Sequence, residues 1–297
     1  MNGIIIINKP KGCTSHDIVY KVKKLTGEKV GHTGTLDPNA TGVLPLLIGK
    51  GTLVSKYLIN HDKTYQVVLK LGEKTDTADI EGNIIETKEI DELLLEEENV
   101  INILNSFKGN QEQIPPMYSA IKIDGKKLYE YARNGKKVKV SPRKITIYNI
   151  KLIEINKVKF EILFEVSCSK GTYIRSLCED IAEKFNTVGY MKDLKRIQVG
   201  NFYIENAVKI EDLEKNIDSK DFLDKHFISI EKLFNKEGQI SLKNKELKML
   251  FNGVRLDFKL DNGIYRIYNE TGEFIGIGTI ENNILKRDII LKNIEND

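Results

Sequence analysis

Apolar residues open the chain as an unbroken run, Ile4-Ile5-Ile6-Ile7, which predicts a strand buried on both faces. The turn Lys9-Pro10-Lys11-Gly12 ends it. Ile18, Val22 and Leu25 then recur at helical spacing, predicting a helix that starts at Thr14 or Ser15. Asp17 is placed to complete a capping box, and Gly27 is a natural C-terminal stop. Residues 31–42 hold almost nothing apolar except Leu36 and read as a loop. Residues 43–48 form a short apolar run and 53–58 a short helix. Tyr65, Val67, Leu69 and Leu71 alternate, so they predict a half-exposed strand. Residues 76–82 are turn-like, and 91–107 read as an acidic amphipathic helix. Phe160, Ile162, Phe164, Val166 and Cys168 alternate as a second clear strand. After the turn Ser169-Lys170-Gly171, a helix carries Ile174, Leu177, Cys178, Ile181, Ala182 and Phe185 on one face.

Between these elements, residues 113–142 show little apolar periodicity and much positive charge, and they read as a projecting insertion. The polar stretch 218–236 marks a domain boundary. Beyond it, short alternating runs at 264–268, 274–280 and 284–291 are broken by Asn-Gly, Thr-Gly and Asn-Asn pairs. That pattern predicts a small β-barrel with hairpin turns. The fold class is therefore α+β followed by all-β, divided into a domain at 1–232 and a second at 233–297.

With 297 residues the chain is long enough for one large and one small domain. No apolar run reaches the length that spans a bilayer, and the isoleucine run lacks the basic leader of a signal peptide. Three cysteines without a CxxC pair suggest neither a disulfide framework nor a zinc knuckle, which fits a reducing, cytoplasmic setting. The net charge of +3 is uninformative, but its distribution is not. Nine Lys/Arg face two acids between Lys122 and Lys144, whereas seven acids face one lysine between Glu86 and Glu98. Such asymmetry suits a polyanion-facing surface and a solvated back, and equally a lysine-rich chain with lysines scattered throughout.

The chemistry concentrates in Gly31-His32-Thr33-Gly34-Thr35-Leu36-Asp37-Pro38-Asn39-Ala40-Thr41-Gly42-Val43-Leu44-Pro45. Glycines at 31, 34 and 42 permit unusual backbone angles or close approach of a ligand. Pro38 biases Asp37 toward an extended conformation. A carboxylate held by a stiff loop suits a nucleophile, although for an arbitrary Leu-Asp-Pro an Asx turn is the favoured reading. Gly49-Lys50-Gly51-Thr52 echoes a phosphate-binding P-loop but has Leu44 and Gly51 where glycine and Ser/Thr are required. His16, His32, His61 and His226 show no ligand spacing, so no metal site is expected.

The run from Gly31 to Pro45 resembles the signature of the TruB family, the tRNA pseudouridine-55 synthases. The resemblance continues in order through Asn8-Lys9-Pro10-Lys11-Gly12 with Thr14-Ser15-His16-Asp17, then Lys63-Thr64-Tyr65 and Ile114-Pro115-Pro116-Met117-Tyr118-Ser119-Ala120. Gly125-Lys126-Lys127-Leu128-Tyr129-Glu130-Tyr131-Ala132-Arg133 and Cys168-Ser169-Lys170-Gly171-Thr172-Tyr173-Ile174-Arg175-Ser176-Leu177 complete it. It covers about residues 3 to 200. The C-terminal part loosely resembles a PUA RNA-binding barrel.

The resemblance implies a pseudouridine synthase catalytic domain with a mixed or antiparallel sheet. It makes Asp37 the nucleophile and Arg175 its cationic partner, pairing with it bidentately. Tyr65 would stack on the flipped base and take part in proton transfer, Tyr173 would line the same pocket, and Leu194 would pack beside the uracil. His32 would fill the space that the extruded uridine leaves, and the insertion would clamp the T-arm of tRNA. Lys195 stands where the family commonly has arginine. No cofactor, no metal and no obligate protein partner are implied, and a monomer is expected. Whether Asp37 attacks C1′, attacks C6 or abstracts the 2′ proton stays open. Two rivals remain: a tRNA-binding or folding module without catalysis, and a guide-RNA-dependent synthase subunit.

Overall fold

The computed structural model describes residues 1–119, 121–136 and 138–291; Lys137 of the basic run and Ala120 lie outside them, as do residues 292–297. The chain opens with β1 (Gly3–Lys9), α1 (Ser15–Thr26), β2 (Val30–His32), β3 (Thr41–Ile48) and β4 (Lys63–Leu71). It continues through α2 (Glu97–Asn105), β5 (Gly109–Gln113), α3 (Leu128–Arg133), β6 (Arg143–Asn156), β7 (Glu161–Cys168), α4 (Ile174–Lys184), β8 (Gly189–Val199) and β9 (Phe227–Ser229). These strands form one sheet in the order β9-β1-β3-β8-β4-β7-β6-β5, with β2 also pairing β3.

Local chemistry explains the first helix. The Thr14 hydroxyl accepts from the Asp17 amide at 3.1 Å, the Asp17 carboxylate accepts from the Thr14 amide at 2.8 Å, and Gly27 closes the helix at φ 67°. Tyr65, Val67, Leu69 and Leu71 of β4 are buried under Leu177, Cys178, Ile181 and Ala182 of α4 and under Val100 and Leu104 of α2. The strand is central, flanked by β8 and β7, and its alternating burial fits the half-exposed reading, with Gln66, Val68 and Lys70 partly exposed on the other face.

The sheet is antiparallel except at one seam, where Lys195 and Arg196 of β8 run parallel to Thr41 and Gly42 of β3. This seam joins the half containing the N-terminal strands to the half containing β4, β7 and β6. Gly42 makes it possible. Its φ is 106°, and a β-carbon there would sit 2.1 Å from the Arg196 carbonyl oxygen, so only glycine lets the two backbones meet.

Four expectations are corrected. The stretch read as one helix over 91–107 is a 3₁₀ turn at Glu92–Leu95 followed by α2, because Glu96 is extended at ψ 139° and starts a second helix. The helix at 53–58 is likewise a 3₁₀ segment, Gly49–Val54, that becomes α-helical only from Ser55 to Leu58. The loop at 31–42 contributes Gly31 and His32 to β2. The polar stretch 218–236 carries β9, which pairs with β1 and extends the main sheet to Ser229.

The second sheet comprises β10 (Gly238–Ser241), β11 (Leu256–Asp257), β12 (Gly263–Tyr268), β13 (Phe274–Glu281) and β14 (Ile284–Ile290), in the order β10-β12-β13-β14-β11. The expected hairpins are there, but the hydrogen-bonded path is open: among the described residues β10 and β11 do not pair, and the sheet is curled rather than closed. The helix α5 (Asn244–Phe251) covers its inner face, with Leu247 and Leu250 against Ile267, Ile280 and Leu285. This sheet is fastened to the first by Ile277 and Ile289, which share a core with Ile4, Val43 and Leu58. The Asp288 carboxylate adds contacts to Lys56 and the Tyr57 hydroxyl. Among the described residues, no helix is long and apolar enough to cross a membrane.

Candidate active site

The loop between β2 and β3 lies across the seam and is clamped from below by two buried cations. Lys9, at the end of β1, is fully buried, and its ammonium donates to the carbonyls of Pro10 (2.9 Å), Pro38 (3.0 Å) and Ala40 (2.8 Å). Burial lowers its pKa, while the nearby Asp37 carboxylate acts in the opposite sense. Arg196, 1 % exposed, donates from Nε to the Val43 carbonyl at 2.8 Å and from Nη2 to the Gly34 carbonyl at 3.0 Å. Ser15 fastens a third point, accepting from the Leu36 amide at 2.8 Å and donating to its carbonyl at 3.1 Å. The loop is thus held by its own backbone groups, which leaves the Asp37 side chain free at the surface of a cleft.

That cleft, of about 410 Å³, is lined by Asp37, Tyr65, Tyr173, Arg175 and Leu194, together with Tyr118, Ser119 and Tyr129 of the insertion. Five of the six residues singled out from the sequence therefore meet in one place. His32 does not line it. Its Nδ1 accepts from the Gly34 amide at 3.2 Å, and burial followed by the Arg196 guanidinium lowers its pKa, so the ring is neutral at pH 7.

Arg175, 9 % exposed in the first turn of α4, is the node of the cleft. Its Nε lies 3.4 Å from Asp37 Oδ2 and its Nη1 3.4 Å from Asp79 Oδ2, while its Nη2 donates to the Tyr118 carbonyl at 2.9 Å. The expected bidentate pairing with Asp37 is thus a single contact, because Asp79 takes the other side of the fork. Asp79 is itself buried and fixed by the Thr77 hydroxyl (2.6 Å) and the Glu81 amide (3.1 Å). Arg175 therefore contacts Asp37 through Oδ2 alone, at the wall of the cleft.

Tyr65, on the opposite strand, is 8 % exposed. Burial pushes its phenol up to about 12, the Arg196 guanidinium opposing that shift as a hydrogen-bond partner, so it is a neutral hydroxyl on an aromatic platform. Tyr173 is positioned by Gln113, whose side chain accepts from the Tyr173 amide (2.8 Å) and donates to its carbonyl (3.0 Å). The insertion folds back over the cleft instead of projecting freely: Ser176 donates to the Ile114 carbonyl at 3.0 Å. On it, Lys127 and Arg133 flank the Tyr129 ring, each 5.3 Å from its centroid. Lys122, Lys126, Arg133, Lys136, Lys139, Arg143 and Lys144 are exposed.

Sequence reasoning missed Asp79, Arg196 and Lys9 as site components. Lys9 gave a signal, since it places a cation at the buried end of an apolar strand, whereas Arg196 sits in a strand of mixed polarity. Asp79 gave none, because Asp76-to-Gly82 is also ordinary turn chemistry. A Lys9→Met variant is expected to lower stability by roughly 3 kcal/mol, since three carbonyls lose a charged donor in the interior. The urea midpoint would fall at unchanged slope, and the catalytic rate would fall more than substrate affinity, because the loop under Asp37 loosens. A wild-type midpoint would refute the clamp.

The TruB family pseudouridylate synthase N-terminal domain model matches residues 22–174. The tRNA pseudouridylate synthase B C-terminal domain matches 175–235, and the C-terminal module of pseudouridine synthase II TruB matches 238–286. The tRNA pseudouridine synthase B of Clostridium perfringens (strain SM101) is 46 % identical, covering 94 % of this chain and 95 % of its own length. That of Clostridium novyi (strain NT) is 44 % identical, covering 98 % and 100 %. Among solved structures, a crystal structure of a Cbf5-Nop10-Gar1 complex aligns with a TM-score of 0.67 and 26 % identity, covering 93 % of this chain and 78 % of that one. The fold, the cleft and these relatives lead to one assignment: the chain belongs to the TruB family of pseudouridine synthases, enzymes that form pseudouridine in tRNA.

Proposed function

We propose that this enzyme isomerises uridine 55 in the T-loop of tRNA, acting alone, with Asp37 as nucleophile. The observation that carries this reading is the Asp37 carboxylate at the rim of a base-sized cleft, touched on one side only by Arg175. Isomerisation conserves atoms and electrons: the N1–C1′ bond breaks, a C5–C1′ bond forms, and the proton lost from C5 is matched by one gained at N1. The reaction therefore calls for no redox partner and no energy source, and we read it as cofactor-free.

A T-loop uridine is stacked, so it must be flipped out to reach Asp37. Tyr65 then supplies the face on which the uracil lies, with Leu194 and Tyr173 at its sides. Arg175 steadies the attacking carboxylate. The neutral His32 ring, next to the loop, is suited to take the vacated place in the stack, since an uncharged imidazole desolvates at low cost. The exposed cations of the insertion would meet phosphates without reading sequence. We take residues 1–232 as the catalytic domain and 233–297 as a PUA-like RNA-binding domain, in a cytoplasmic monomer that needs no protein partner.

The test is to incubate the purified chain with an unmodified tRNA transcript and map pseudouridine by nucleotide. Modification at position 55 without added RNA or protein is the expected result. Binding without modification would instead favour the tRNA-folding rival. Modification that requires an added guide RNA would favour the guide-dependent one.

A further inference from the structure

Beside the cleft, β4 carries a half-buried ammonium that makes no ion pair among the described residues. Lys63 stands two residues before Tyr65 on the same face of the strand, so the two side chains are about 7 Å apart along it. A β-carbon on Gly34 would lie 3.9 Å from Lys63 Cε and 3.5 Å from Arg196 Nη1, so both cations converge on the nucleophile loop. Lys63 donates to the His61 carbonyl. Lys170, exposed on the turn before α4, donates to Asn60 Oδ1 at 2.6 Å. Among the described residues neither ammonium is ion-paired, and the adjacent Asp62 carboxylate accepts from the Tyr148 hydroxyl at 3.2 Å. Burial first, then the Arg196 guanidinium, depress the Lys63 ammonium below its usual range, with Cys168 and the Asp62 carboxylate opposing and Lys170 adding the weakest push. In the free enzyme a partly desolvated charge is held near two others of the same sign, and Asp62 offsets this without pairing with it.

We propose that Lys63 and Lys170, with the bare backbone at Gly34 between them and the cleft, form a phosphate site that takes the backbone phosphate adjoining the extruded nucleotide. An anion there turns the repulsion into charge-assisted hydrogen bonds. Arg196 commits its Nε and Nη2 to the Val43 and Gly34 carbonyls and adds its field from Nη1 on the Gly34 side. The absent side chain at residue 34 gives the phosphate room to approach. The spacing from Tyr65 sets the base and its own sugar–phosphate link side by side, so that the flipped nucleotide is gripped at both ends. The inference rests on Tyr65 being the platform for the base.

The experiment uses T-arm stem-loops that carry a single methylphosphonate at the phosphate 5′ or 3′ to the target uridine, beside the all-phosphate RNA. Lys63→Met should lower kcat/KM on the all-phosphate RNA about 10- to 100-fold, the worth of a hydrogen bond to a charged group. The salt dependence of binding should lose about one phosphate contact. On the RNA whose matching phosphate is neutral, wild type and variant should agree within about twofold, and Lys63→Arg should regain most of the activity. Equal loss on every RNA, or no loss on any, overturns the phosphate site. Failure of wild type to modify any of the RNAs would instead strike the functional reading, and Kd values over the same series would still decide the phosphate site.

Discussion

An Asp37→Asn enzyme should fold and bind RNA normally yet form pseudouridine at least about 10⁴-fold more slowly, the scale seen when a nucleophile is removed. The structure explains why chemistry and stability separate here. Arg175 would not be left as an orphaned interior charge, because Asp79 Oδ2 and the Tyr118 carbonyl still hold it. The loop itself is fixed by Lys9, Ser15 and Arg196 through backbone atoms, none of which the substitution touches. Asparagine also matches aspartate in shape. The measurement is single-turnover release of tritium from tRNA labelled at uracil C5, alongside a filter-binding Kd. A variant that releases tritium at the wild-type rate would remove Asp37 from the reaction altogether.

The second large effect is expected at Arg175. Lysine there keeps the positive charge and loses the planar fork, and the fork is what the site uses. The guanidinium joins the nucleophile loop through Asp37, the Thr77–Asp79 turn through Asp79, and the insertion through the Tyr118 carbonyl. One ammonium cannot reach all three. Arg175→Lys should therefore lower kcat by about 10²- to 10³-fold, comparable to loss of one preorganised donor. The insertion should also become more sensitive to protease, since its attachment at Tyr118 is gone. Protection at wild-type level together with kcat within about threefold would show that charge alone suffices.

What could be read in advance divides along the range of the forces involved. The capped helix α1 and the alternating strand β7 follow from neighbours within a few residues, and both appear as expected. The loop carrying Asp37 was legible because its glycines and proline act locally. The breaks at Glu96 and Ser55 were not, since Leu95 and Val54 are buried whichever helical form the segment takes, and apolar spacing cannot tell the two apart. Within the site, the meeting of Asp37 with Arg175 was expected from resemblance, but its one-sided geometry was not. It depends on Asp79, which reaches the guanidinium only once its turn is bridged to β8 through the Ala78 carbonyl and the Met191 amide. Lys9 is visible in the sequence as a charge ending an apolar strand, but what it and Arg196 hold is decided by the seam between β3 and β8, which nothing local announces.

That seam also governs when a growing chain becomes an enzyme. The signature loop emerges early in synthesis, but the strand that joins it to Tyr65, and the guanidinium that supports it, arrive only with residues 189–199. Until β8 is inserted, the two halves of the sheet have no shared hydrogen bonds and the cleft has no floor at Leu194. A nascent chain therefore carries Asp37 through most of its synthesis without the rest of its cleft. The same holds for truncated reading frames: one that preserves every residue from Gly31 to Pro45 and stops short of β8 encodes the motif without the active site.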